Sequence, residues 1–246
     1  MTLALVDERI DDGVSSALSE RGFSVIKLPR CTRLPEAIAA HPDSLVAHIG
    51  DTLLVEGEYL SHNRDLFELV RAHAPYMNIK EVTRPLGSRY PDDCALNALM
   101  LGGRLYARRE SLADEILCEA VTHGLDVVSV KQGYPACATL ALGDRAAITA
   151  DRGLARVFCE RGIDVLTVDD GGIKLPPYEY GFIGGASGVY RDTVYFLGDV
   201  SSHPSAEAIC EFCTAKGFRV VSLSGAALSD LGGILFIDSE KHDAKG

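Results

Sequence analysis

This chain of 246 residues is short of several things, and each shortage removes a class of protein. No apolar run reaches the roughly 18 residues that a membrane-crossing helix needs. The first residues, Met1 to Asp7, lack a basic stretch followed by an apolar one, so they read as a first strand and not as a secretory signal. A cytoplasmic protein is expected. Basic side chains are outnumbered, 24 against 35 acidic, which leaves a net charge of −11. A surface that tracks phosphates needs clustered lysine and arginine, so nucleic acid is not an expected partner. The same charge disfavours acidic membrane surfaces. Seven cysteines form an odd set, and without a secretory signal they do not describe a disulfide framework. No two histidines stand at ligand spacing, so neither a metal nor another cofactor is expected.

What remains is an ordinary globular balance, 47% apolar and 24% charged, in one chain long enough to bury a sizeable core. Within it a motif recurs: a helix, a glycine and a short β-branched strand. The copies are Arg21-Gly22-Phe23-Ser24-Val25-Ile26, His123-Gly124-Leu125-Asp126-Val127-Val128, Arg161-Gly162-Ile163-Asp164-Val165-Leu166 and Lys216-Gly217-Phe218-Arg219-Val220-Val221. The glycine accepts the left-handed conformation that ends a helix, and the cationic or imidazole residue before it suits the negative helix end. Ser111 and Asp151 are expected to cap helices, and Pro204 to open one. The stripe Leu112, Ile116, Leu117, Ala120 and Val121 has helical period, and Cys118 and Cys159 are expected to be buried. Strands are expected before the helices at Leu3–Val6, Leu45–Ile49, Leu96–Leu101, Ala146–Thr149 and Thr193–Leu197. Residues 44–84 form a divergent copy in which Pro75 replaces the helix-ending glycine.

The expected organisation is a single α/β domain over 1–246, made of strand–helix–strand units at about 1–30, 44–84, 93–131, 136–169 and 181–224. A leftover strand, 233–237, can complete the short first unit and close a ring. Five such units resemble the pentein fold, the five-fold pseudo-symmetric α/β propeller of guanidine-modifying enzymes. From Asp92 to Ile237 the chain resembles an uncharacterised bacterial family of that fold. The resemblance rests on Asp93-Cys94-Ala-Leu-Asn97, Val130-Lys131-Gln-Gly-Tyr134 with Cys137, Tyr178 to Gly188, and Leu231-Gly-Gly-Ile234. It implies a cysteine nucleophile just after a C-terminal glycine pair, with a histidine and carboxylates holding a cationic substrate. Here the pair is Gly232-Gly233, followed by Ile234-Leu235-Phe236-Ile237-Asp238, which contains no cysteine.

Three readings follow. The first is a pentein-like protein without the usual C-terminal nucleophile that binds a small guanidino or amine ligand in a central pocket. The second is a hydrolase or transferase with a relocated nucleophile, Cys137 or Cys94, both at unit starts where side chains can face the axis. Asp92 and Asp93 would raise the Cys94 thiol pKa, whereas Lys131 near Cys137 would favour a thiolate. The third is a non-catalytic scaffold, as in a ribosome-subunit anti-association factor that resembles the same fold. Lys131, Tyr134, Glu179, Tyr180 and Asp230 fall on connections between units, which gather at the mouth of a ring where ligands bind. The glycine-dense stretch Gly181 to Gly188 leads into a strand, so it reads as backbone packed close to the axis and not as a phosphate loop. His203 is expected at a helix start, and His48 on a strand. Cys210-Glu-Phe-Cys213, mid-helix, reads as structural.

Overall fold

The computed structural model describes residues 2–241. Its strands form five three-stranded sheets of one topology: an antiparallel hairpin, a helical crossover, and a third strand parallel to the middle one. In the second unit these strands are Val46–Ile49, Thr52–Glu56 and Asn78–Val82. The third has Leu99–Leu101, Arg104–Ala107 and Asp126–Ser129. The fourth has Thr139–Leu142, Ala146–Thr149 and Asp164–Thr167. The fifth has Ser187–Tyr190, Thr193–Phe196 and Arg219–Ser222.

The first unit is assembled from both ends of the chain. Thr2–Asp7 runs parallel to Phe23–Leu28 and antiparallel to Leu235–Asp238, with Leu3 opposite Ile237. The leftover C-terminal strand thus completes the first sheet. Each of the other four units has a hairpin strand ahead of the strand–helix–strand motif, and this corrects two assignments. Leu45–Ile49 and Leu96–Leu101 overlap the hairpin strands, while Thr52–Glu56 and Arg104–Ala107 are the strands that lead into helices. Both kinds of strand are short and mostly buried, Val46–Ile49 and Thr52–Glu56 alike, so an apolar run does not tell them apart.

Apolar clusters lie between successive units. Tyr106 of the third meets Phe158 of the fourth edge-on at 4.9 Å, and Phe23 of the first meets Tyr195 of the fifth at 5.4 Å. Gly22, Gly124, Gly162 and Gly217 all have φ between 66° and 88°. A Cβ at any of them would meet nothing within 4 Å, so it is backbone conformation and not crowding that requires glycine there. In the second unit the helix Arg64–His73 instead ends at Ala74, before a tight turn into Asn78–Val82.

Several local expectations change. Asp151 caps its helix by accepting from Leu154 N at 2.9 Å, with Leu154, Ala155 and Phe158 buried beneath. Ser111 does not cap; its hydroxyl donates to Arg108 O, and the helix begins at Asp114. Pro204 stands two residues before the helix Ala206–Ala215, whose buried face is Ile209 and Cys213. Val121 is 74% exposed, and Cys118 and Cys159 are exposed as well. These three extend the apolar stripes on paper but lie at their edges, where a short helix on a small sheet leaves them uncovered. No helix of the described residues is long and apolar enough to cross a membrane.

Candidate functional site

The turns that open the units converge on one place. His41 precedes the short helix Pro42–Leu45 at the start of the second unit, and its carbonyl receives Ser44 N. Cys137 lies on the turn before the fourth unit's first strand, where Ala138 N returns to Tyr134 O. Asp230 lies just before the glycine pair that leads into the C-terminal strand. Asn97 ties these turns together: it donates to Asp43 O at 3.2 Å and accepts from Ala136 N at 2.9 Å.

Glycine makes the convergence possible. A side chain on Gly185 would come within 2.0 Å of Asp230 Oδ1 and 2.6 Å of Cys137 Sγ, and one on Gly232 within 2.3 Å of His41 Cβ. The glycine-dense stretch therefore packs directly on the functional side chains, and its backbone approaches where no Cβ fits.

The resulting cluster is buried and closely spaced. Cys137 Sγ donates toward both oxygens of Asp230 at 3.4 Å, and His41 Nδ1 lies 3.7 Å from Asp230 Oδ1. Phe182 N and Gly232 N donate to the same carboxylate at 2.8 and 3.1 Å, which fixes its orientation. Asp43 stands 4.0 Å from His41, and its charge acts on the Cys137 thiol. Neither ring nitrogen of His41 has a hydrogen-bond partner, nor has Asp43 Oδ2. Burial, against the pull of Asp230, pushes His41 down to about 4, so its ring is neutral. Burial and then the Asp230 charge push Asp43 up to about 7. Burial also drives the Cys137 thiol well above the ordinary range, and both carboxylates add to the effect.

Above this floor opens a cavity of about 720 Å³. Tyr90, Tyr134, Tyr178, Tyr180 and Phe182 line it, with Asp93 and Glu179 among its carboxyl groups. Asp93 is buried, and one of its oxygens lacks a hydrogen-bond partner. Burial raises Asp93, and burial together with Asp93 raises Tyr134. Gly133 lets this wall form, because a Cβ there would meet the Tyr90 ring at 2.4 Å.

Of the residues singled out from sequence, Cys137, Tyr134, Glu179, Tyr180 and Asp230 line this one cavity. Lys131 is exposed and stands outside it. Cys94 is buried beside it, bonded to Pro91 O and the Ser111 hydroxyl, and does not line the cavity. His203 accepts from Ser205 N at a helix start. His48 faces a smaller cavity of about 180 Å³ lined also by Gly233, Ile234 and Leu235.

His41, Asp43 and Asp93 did not stand out as a site. His41-Pro42-Asp43-Ser44 falls in the stretch between the first two units, which carries no repeat signal of its own. Its one cue was position: it directly precedes a unit start, as Cys137 and Cys94 do. Spacing rules for metal ligands could not register His41, Cys137 and Asp230 either, since three separate units supply them.

Residues 5–235 match a family described as a family of unknown function, DUF6873. The chain belongs to that family. The match is wider than the Asp92–Ile237 stretch noted from sequence. No curated protein matches the chain. Among solved structures it is similar to a dimethylarginine dimethylaminohydrolase in adduct with S-methyl-L-thiocitrulline (TM-score 0.56, 13% identity, 91% of this chain and 92% of that one). It is also similar to an amidinotransferase from Microseira wollei (0.59, 10%, 94% and 79%) and to an inosamine-phosphate amidinotransferase from Streptomyces griseus (0.56, 15%, 94% and 79%). At such identities the likeness establishes the fold, the pentein.

Proposed function

We propose that this protein binds a small organic cation, a guanidino compound or an amine, in the central cavity. One observation carries the reading. Asp93, Asp230 and Glu179 share a single cavity with four tyrosines and Phe182. Carboxylates neutralise an ammonium or guanidinium, and aromatic faces hold it by cation–π attraction. The unpartnered Asp93 oxygen offers such a ligand a buried acceptor. The fold shared with proteins named as a dimethylarginine dimethylaminohydrolase and amidinotransferases supports the same ligand class. A thermal-shift screen of guanidino compounds, amines and neutral amino acids tests it. At a hundredfold excess over Kd the bound cation raises Tm by roughly 5–10 °C. No stabilisation by any cation would move the weight to an interaction scaffold.

The position of Cys137 favours a second reading, covalent chemistry on that ligand. Its sulfur lies at the cavity floor beside a neutral His41. A guanidinium above it would favour the thiolate. The thiol proton passes to His41 while sulfur bonds the guanidinium carbon. The carbon–nitrogen bond to the departing amine then breaks, and that amine takes the proton from His41. Water then attacks the carbon of the resulting S-alkylthiouronium, the carbon–sulfur bond breaks, and a urea leaves as the thiol is restored. Intact-mass spectrometry after incubation with a guanidino compound checks this. An adduct absent in Cys137→Ser supports it, and an adduct that persists in Cys137→Ser contradicts it.

A further inference from the structure

The floor of the cavity has a second use that neither fold nor family assigns. We propose that His41, Cys137 and Asp230 form a binding site for a divalent transition metal, with zinc the ion their donor set fits. Each contributes one ligand atom, and these atoms all lie within 4.8 Å of one another. Tetrahedral zinc, with bonds of about 2.0–2.3 Å, sets its ligand atoms roughly 3.2–3.6 Å apart. The sulfur–carboxylate distance of 3.4 Å falls within that range, and the imidazole–carboxylate distance of 3.7 Å lies just beyond it. The remaining edge, between His41 and Cys137, must close by roughly 1 Å or less to reach that geometry.

Three further features point to a ligand. The His41 ring is fully buried with both nitrogens unpartnered, whereas buried imidazoles ordinarily find a donor or acceptor, as His203 does through Ser205 N. A thiolate, a carboxylate and a neutral imidazole together carry −2, which cancels the charge of the ion. Asp230 is aimed by two backbone N–H groups, the kind of outer support that orients metal-bound carboxylates. The cavity supplies both an entry path and a fourth direction, so the arrangement is of the open kind. Binding is a simple exchange: the Cys137 S–H proton goes to solvent, sulfur coordinates the ion, and nothing is oxidised or reduced.

The inference does not depend on the small-cation reading, with which it shares Asp230 but neither Asp93 nor Glu179. It is an alternative to covalent attack, because both employ the same sulfur lone pair. The test uses the full chain with exposed Cys118 and Cys159 changed to serine, stripped of metal by chelator and dialysis. Zinc is titrated by calorimetry in two buffers of different ionisation enthalpy, and cobalt(II) by absorption spectroscopy. The expected result is one ion per chain, about one proton released per ion, and a sulfur-to-cobalt charge-transfer band in the near ultraviolet. His41→Asn and Cys137→Ser should each weaken zinc at least 100-fold, with unchanged circular dichroism, while Cys94→Ala binds as the parent does. Zinc affinity in both His41→Asn and Cys137→Ser within threefold of the parent, or a cobalt complex without the sulfur band, overturns the site. Asp93→Asn separates the two ideas: it removes a wall carboxylate and leaves all three proposed ligands in place.

Discussion

Cys94 and Cys137 begin adjacent units of the same repeat, both are buried, and both thiols are pushed upward by burial. They nevertheless occupy different chemistry. Cys94 meets a hydroxyl and a carbonyl, groups of its own unit, at 3.2 and 3.1 Å. Cys137 meets Asp230, His41 and Asp43, brought by the turns of two other units. Position in the repeat therefore does not define a site. What defines it is which side chains the other units deliver to the axis, and only the fourth unit's cysteine receives charged and imidazole partners.

The comparison breaks most visibly in pH dependence. Folded Asp43, raised from 3.8 to about 7, keeps a proton that the unfolded chain has lost. The folded state then binds more protons, so this group lowers stability as pH rises from about 4 to 7, by on the order of 4 kcal/mol. His41, lowered from 6.5 to about 4, acts the other way: the unfolded ring takes a proton that the folded one refuses. Stability from that group falls as pH drops from about 6.5 to 4, by about 3 kcal/mol. The two nearly offset in the parent. Asp43→Asn should leave the His41 slope alone, so urea midpoints rise from pH 4 to 6.5 relative to the parent. Parallel curves for variant and parent would show that Asp43 is not raised.

Next in size is Asp230→Ala. It strands the N–H groups of Phe182 and Gly232 as well as the Cys137 thiol, and should cost about 3 kcal/mol in chemical denaturation. The matching change at the other cysteine, Ser111→Ala, removes a hydroxyl that touches Cys94 and donates to Arg108 O, and should cost about 1 kcal/mol. Equal costs would erase the distinction between the two environments.

Alkylation sharpens the contrast further. With iodoacetamide at neutral pH, Cys118 and Cys159 should react like free thiols, and Cys94 and Cys137 at least about tenfold more slowly. A saturating guanidino ligand should then alter the Cys137 rate and leave Cys94 unchanged, as peptide mass spectrometry can follow.

Much of this fold was legible in the sequence because its repeat has a local cause. Gly22, Gly124, Gly162 and Gly217 mark helix ends by conformation alone, and Gly233 to Ile237 could be recognised as a surplus strand that the first unit lacked. The hairpin strands were less distinct, since Val46–Ile49 and Leu99–Leu101 are short and carry no marker like that glycine. The site divided along the same line. Tyr134, Glu179, Tyr180, Cys137 and Asp230 could be found because they flank the repeated segments. His41 and Asp43 could not, because their meaning arises from contact with Asp230, nearly two hundred residues away along the chain. Lys131 has a suitable charge and neighbourhood, yet its side chain faces solvent.

The central claim, a small organic cation held above the His41–Cys137–Asp230 floor, is tested most directly by calorimetric titration of the folded chain with arginine and agmatine. The account predicts saturable one-to-one binding of at least one of them, weakened about tenfold or more when Asp93→Asn removes the buried acceptor, and unchanged in Cys94→Ala. Binding of equal strength in parent and Asp93→Asn, or no binding of either cation, would contradict it.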